Sequence, residues 1–455
     1  MSSSYLRICL KIQFHFEGDP WQFYTEWLQY RCSSPSFYWV DTSPREFPYT
    51  TCFHAGSGGP HSRRNMLKNP FFVYVASFGA VIAIYQLGWS DIYPKLSWDL
   101  LLFFALTFLA AFLLARLIEP FVSGTHEYTP GLLSEYATLF VIATFVGEIA
   151  LAGGIPLLFV IHGAKFYEIE ANATHLHAFT FWSVFSAIRF ADFLYSHRYR
   201  YMIEAALPVI FYVLLVYRGP AIMCVLSWMF IFVIRHNGLK RAHIAWAAVG
   251  LVSVAYINGL MGDIRSPGQE TAGAPSASFQ NSGIPRTYFW TYLYTTSPLA
   301  NFQLSVDKLP PGQGTALEFI ASELLPDTIS KRILPLLDDT ILSGTGNLVS
   351  RDALYSWAQP QISRGINIST LFGRSYGFFG WIGPVIMFAA LSALIIVYII
   401  LIRRSPYRVP ALALLNVLVV FCLFNNMIAS AALLPQLVWP LLLPPWYKKA
   451  APQLA

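Results

Sequence analysis

Ser97-Trp98-Asp99-Leu100-Leu101-Leu102-Phe103-Phe104-Ala105-Leu106-Thr107-Phe108-Leu109-Ala110-Ala111-Phe112-Leu113-Leu114-Ala115-Arg116-Leu117-Ile118 carries no charge between Asp99 and Arg116. An apolar run of that length matches the ~20 residues that a helix needs to cross the ~30 Å hydrocarbon core of a bilayer. Similar runs recur at 70–88, 131–152, 175–196, 201–217, 219–235, 243–261, 376–402, 409–424 and 428–446. The expected fold is all-α: a polytopic integral membrane protein of about ten transmembrane helices.

Composition agrees with the runs. Of 455 residues, 55% are hydrophobic and only 12% charged, against roughly 25% charged in soluble domains. The net charge of +6 needs no nucleic-acid partner, because cytoplasmic loops of membrane proteins collect Lys and Arg. The cysteines, Cys9, Cys32, Cys52, Cys224 and Cys422, form no CxxC pair, which argues against a structural zinc site.

Arg63, Arg64 and Lys68 precede the first run and place that end in the cytoplasm. Threaded from there, the inner side receives Arg116, Arg198, Arg200, Arg235, Lys240, Arg241, Arg403, Arg404, Arg408, Lys448 and Lys449. Short outer loops receive only Lys95, Lys165 and Arg218, so both termini are expected in the cytoplasm. Residues 1–65 differ in character, mixed polar and aromatic without periodicity. They read as a poorly ordered extension or an over-extended start, ahead of a membrane domain spanning 66–455. One long outer connection covers about 262–375. Its 264–286 segment is rich in Gly, Pro, Ser and Ala, whereas 287–301 and 315–337 show helical apolar spacing.

GxxxxGK[ST], GxGxxG and HExxH are all absent, so no nucleotide, cofactor or metal is expected. The adjacent Asp338-Asp339 pair reads as a solvated helix end. Cations instead gather at the outer face. Arg218 ends one span before Gly219-Pro220, and Arg265 closes another in Gly262-Asp263-Ile264-Arg265-Ser266. Two guanidinium forks at one depth suit a diphosphate. His177 opens the fourth span as a candidate general base, with His175, Glu168 and Glu170 as rivals. Arg189 and Asp192, three apart, have the spacing of a structural helical ion pair. Glu148, an intramembrane carboxylate, is a functional suspect without an assigned partner. The aromatic run Arg286-Thr287-Tyr288-Phe289-Trp290-Thr291-Tyr292-Leu293-Tyr294 suits either sugar stacking or an interfacial belt.

Several of these stretches resemble the bacterial oligosaccharide repeat-unit polymerases, the O-antigen polymerases of lipopolysaccharide synthesis. The likeness rests on Gly262–Ser266, on Phe289 through Ser297-Pro298-Leu299-Ala300-Asn301, and on Arg218-Gly219. Asn367-Ile368-Ser369-Thr370-Leu371-Phe372 leading to Tyr376-Gly377-Phe378-Phe379-Gly380 is also similar. The histidine stretch departs from the family pattern, which expects a Gly- and Pro-containing turn before it, and residues 1–65 have no counterpart.

The resemblance implies a glycosyltransferase of the inner membrane with its active site facing the periplasm. It would polymerise undecaprenyl-diphosphate-linked oligosaccharide repeat units, with a chain-length regulator as a candidate partner. Arg218 and Arg265 would hold the diphosphate, and His177 would take the proton of the attacking hydroxyl. Arg286, Trp290, Tyr292, Tyr294, Asn301, Asn367 and Arg374 would bind substrate, with 264–286 as a lid. The competing readings are an O-antigen ligase transferring to lipid A core and, further off, a lipid-linked oligosaccharide transporter.

Overall fold

A computed structural model of the chain describes residues 66–122, 128–162, 173–236, 275–310, 315–326, 360–363, 368–430 and 433–443, with isolated residues at 250–260, 312 and 329–330. The chain divides at Gly59 and Pro60, so 60–455 forms one compact unit. Residues 1–65 and the 243–249 part of the seventh apolar run lie outside the described residues.

Among the described residues every regular element is helical. The principal helices are α1 (Pro70–Tyr85), α2 (Trp98–Val122), α3 (Tyr136–Leu151), α4 (Pro156–Ile161), α5 (Ala173–Ser196), α6 (Tyr199–Leu214), α7 (Arg218–Arg235), α8 (Thr287–Lys308), α9 (Gly373–Phe379), α10 (Ile382–Ile402), α11 (Arg408–Phe421) and α12 (Leu434–Leu442). Three of them, α2, α7 and α10, are long and apolar enough to cross a membrane. The apolar helices α1, α3 and α11 are shorter; a 16-residue helix such as α1 rises only about 24 Å. The run at 376–402 breaks in two at Gly380, whose φ of 58° favours glycine. The resulting turn is tight: a Cβ on Gly383 would collide with the Ser375 carbonyl oxygen.

The bundle has two distinguishable ends. At one, Asn69 caps α1 through its side chain and donates from Nδ2 to the Ala115 carbonyl near the end of α2 (2.9 Å). Arg408 at the start of α11 donates to the Phe121 carbonyl of the same helix end. Arg235 ends α7 with its guanidinium over Tyr195, 4.2 Å from the ring centre, at the end of α5. At the other end, the Ser97 amide donates to Gln303 Oε1 of α8 (2.8 Å), and the Leu371 amide donates to the Cys422 carbonyl after α11 (2.9 Å). We refer to these as the basic end and the far end.

Helix α5 runs through the middle, packed against α3, α6, α7, α11 and α12. Trp182, Val184, Phe185, Ala187, Ile188 and Ala191 are all fully buried, so both faces of the helix are inside. Its two charged side chains, toward its end, are buried as well. Arg189 Nη1 lies 3.2 Å from Asp192 Oδ2, and the side chains are 1% and 0% exposed. Arg189 Nε also lies 2.8 Å from Glu204 Oε2 on α6, a close ion pair whose angle falls outside hydrogen-bond geometry. Asp192 Oδ1 accepts from Tyr128 Oη (2.9 Å) and the Gly131 amide (2.8 Å), and Arg189 Nη2 donates to the Ser134 carbonyl (3.1 Å). Glu204 Oε1 accepts from Arg200 Nε (2.7 Å), which reaches on to Glu135 (3.1 Å).

Removing the Arg189 cation leaves Asp192 buried without a counter-charge and Glu204 with Arg200 alone, a loss of about 3–5 kcal/mol. Arg189→Met is therefore expected to lower the thermal unfolding midpoint in detergent sharply. Glu135→Gln, at the exposed edge of the same network, changes stability by less than about 1 kcal/mol and barely moves that midpoint.

Candidate functional site

The far end collects the side chains that could do chemistry. His177 lies in the first turns of α5 with an exposed side chain, and its carbonyl accepts from Thr180 Oγ1 (3.0 Å). Two residues on, Phe179 meets Tyr217 edge to face, with ring centres 5.0 Å apart. Tyr217 is the residue immediately before α7, so Arg218 opens that helix. The start of α5 and the start of α7 are thus brought together.

The chain reaches Arg218 through a strained turn. Val216 adopts φ 64°, a conformation that a β-branched side chain disfavours strongly. The turn is held by the Tyr217 amide donating to the Tyr212 carbonyl (2.8 Å). Arg218 is partly exposed, and a Cβ on Gly219 would meet nothing within 4 Å. The helix therefore begins at an open surface, where backbone amides and the helix dipole favour an anion. Glu148, near the end of α3, acts electrostatically on the Tyr217 phenol, which brings a carboxylate to the same corner and supplies a neighbour that the chain order did not suggest.

Helix α8 lies over the far ends of α1 and α2. Its two faces differ. Tyr292 is buried among Trp89 (ring centres 5.3 Å), Tyr93 (6.0 Å) and Phe289 (6.3 Å). Tyr93 Oη in turn donates to the Leu293 carbonyl (2.9 Å). Trp290 and Tyr294 stack on one another at 6.3 Å and remain partly exposed, with Arg286 exposed at the helix start. Tyr292 therefore anchors the helix, while Trp290 and Tyr294 have the accessibility that sugar stacking needs.

Asn301 is fully buried and ties down the chain: Nδ2 donates to the Ile368 carbonyl (2.7 Å) and Oδ1 accepts from the Ile362 amide (3.0 Å). Arg374 on α9 lies 3.5 Å through Nε from Glu323 Oε1. Glu323 is 1% exposed and belongs to a π-helical turn, Ile320–Leu324, a backbone form frequent at functional sites. Asn426 Nδ2 donates both to the Glu323 carbonyl (2.7 Å) and to its Oε2 (2.9 Å). Neither Glu323 nor Asn426 stands out in the sequence, though a carboxylate inside the apolar Phe319-Ile320-Ala321-Ser322-Glu323-Leu324-Leu325 is a usable signal.

Arg265, Asn367, Glu168, Glu170, Asp338, Asp339 and the side chain of His175 lie outside the described residues, as does 264–274 of the expected lid. Among the described residues, no three His, Cys, Asp or Glu side chains are grouped to hold a metal ion.

The two faces of α8 differ in how much packing they contribute. Tyr292→Ala is expected to cost about 3–5 kcal/mol of stability. Trp290→Ala and Tyr294→Ala each cost less than about 1.5 kcal/mol by the same thermal measurement. No family model, no curated protein and no solved structure matches this chain.

Proposed function

We propose that the protein is a membrane glycosyltransferase that polymerises undecaprenyl-diphosphate-linked oligosaccharide repeat units at the periplasmic face of the bacterial inner membrane. The observation that carries this reading is the meeting of the α5 and α7 starts, with Phe179 against Tyr217 at 5.0 Å, which brings the two helix starts that carry His177 and Arg218 to one end of the bundle. It is supported by the accessible Trp290–Tyr294 pair at the same end and by the resemblance in the aromatic-Ser-Pro-Asn stretch.

In this reading a hydroxyl oxygen of the acceptor repeat unit attacks the anomeric carbon of the donor glycan. The anomeric C–O bond to the lipid diphosphate breaks, and the electron pair leaves with the diphosphate. Arg218 and the start of α7 stabilise that developing charge, the electrostatic contribution that is usually largest. The hydroxyl proton passes to the His177 imidazole. The donor is already activated by its diphosphate, so the transfer itself consumes no nucleotide. About ten spans, with both termini in the cytoplasm, complete the proposed topology.

The test is reconstitution of the full chain with an undecaprenyl-diphosphate-linked repeat unit, read as a product ladder on a gel. Wild type yields lengthening products. Arg218→Ala lowers the rate by about 10²–10³-fold, and His177→Ala by about 10²–10⁴-fold. A ladder of undiminished rate in both variants contradicts the assignment. Transfer to lipid A core without any ladder replaces it with the ligase reading.

A further inference from the structure

The basic end carries a second constellation, unrelated to the proposed chemistry. Helices α10 and α11 are joined by Arg403-Arg404-Ser405-Pro406-Tyr407-Arg408. The turn is fixed from within: Tyr407 is fully buried, its amide donates to Ser405 Oγ (3.1 Å), and Ser405 Oγ donates to the Pro440 carbonyl of α12 (3.2 Å). Two of its arginines converge on the end of α2. The Arg403 guanidinium lies over the Phe121 ring, 5.6 Å from its centre, and Arg408 donates to the Phe121 carbonyl.

Like charges are thereby held together, with no counter-anion among the described residues. Burial, and after it the neighbouring Arg403, disfavours the Arg408 cation. Among the described residues no ion pair joins a carboxylate to Arg403, Arg404 or Arg408; on the same helix end Arg116 meets Glu119 (3.8 Å). An arginine needed only as a topological marker would extend into water. These two instead fold back over a helix end, where they remain close to each other.

Apolar side chains lead up to that corner. On α2, Leu113, Leu117 and Phe121 follow one another at four-residue spacing and are 61%, 66% and 38% exposed. On α10, Val397 and Leu401 do the same, at 53% and 57% exposure. The two helices pack against each other, and both stripes run toward the arginines. A guanidinium pair at the head of two lipid-facing apolar stripes matches an amphiphile with a negative headgroup.

We propose that this corner binds an anionic phospholipid, with the phosphate held between Arg403 and Arg408, Arg404 adding charge, and the acyl chains lying along Leu113–Leu117 and Val397–Leu401. The site is independent of the glycosyl-transfer reading and stands whether or not that reading holds.

The experiment is native mass spectrometry of the full chain released from phosphatidylcholine nanodiscs that contain a minor fraction of phosphatidylglycerol. Wild type is expected to retain phosphatidylglycerol in preference to phosphatidylcholine, undiminished by excess inorganic phosphate. Arg403→Gln/Arg408→Gln weakens that retention by about 30-fold, and Arg116→Gln leaves it unchanged. Should the double variant misfold, wild type alone decides, since its thermal midpoint rises in phosphatidylglycerol micelles relative to phosphatidylcholine if the site exists. The proposal is overturned by equal retention in the double variant, by displacement with inorganic phosphate, or by an unshifted wild-type midpoint.

Discussion

One buried cation holds this bundle in register. Arg189 sits between Asp192 on its own helix and Glu204 on the next, at 3.2 and 2.8 Å, almost entirely out of solvent. In a low-dielectric interior each of those carboxylates would be too costly to bury unpaired, and each is instead given further donors. Tyr128 and the Gly131 amide serve Asp192, and Arg200 serves Glu204. The network therefore ties α5 to α6 and to the 128–135 segment that follows α2. Such pairs add less net stability than their number suggests; their effect is that only one rotation and one height of α5 leaves no charge stranded.

That constraint reaches the far end through a stiff helix. From Arg189 back to His177 is twelve residues, about 18 Å of α-helix, so locking α5 near its end locks the position of its first turns. The α6–α7 junction is adjusted to meet it: Tyr212 Oη donates to the Phe179 carbonyl, and Val216 takes a left-handed backbone conformation before Tyr217 and Arg218. Strain of that kind persists only where surrounding packing over-determines it. Here the surroundings are Phe179, Trp182 and Tyr212, stacked or tilted within 5–6 Å of one another. The helix starts that carry His177 and Arg218 are thus held in place by packing.

Much of this was legible from residue patterns, and the failures have physical causes. Apolar length located α2 and α7 closely, because nothing but a helix satisfies the backbone of such a run. The same reasoning joined 376–402 into one span, since hydropathy does not register the positive φ that Gly380 supplies. Spacing of three identified Arg189 and Asp192, whereas Glu204 was invisible because its contact depends on how α5 and α6 pack. Composition alone leaves the aromatic run on α8 as either a sugar-stacking surface or an interfacial belt; a helix divides it, placing Tyr292 inside and Trp290 and Tyr294 partly outside. Glu323 and Asn426 escaped notice because they are joined across 103 positions of chain. Glu148 was suspected from its burial in an apolar run, and only the fold set it near Tyr217.

The central claim is that the bundle has two chemically different ends, with His177 and Arg218 at one and Arg403 and Arg408 at the other. Substituted-cysteine labelling tests it directly, in a cysteine-free version of the full chain held in sealed membrane vesicles of one orientation. Cysteines placed at His177 and Gly219 should react with a membrane-impermeant maleimide from one side only, and a cysteine at Arg404 from the opposite side only. Labelling of His177 and Arg404 positions from the same side, or of His177 and Gly219 from different sides, would contradict the account.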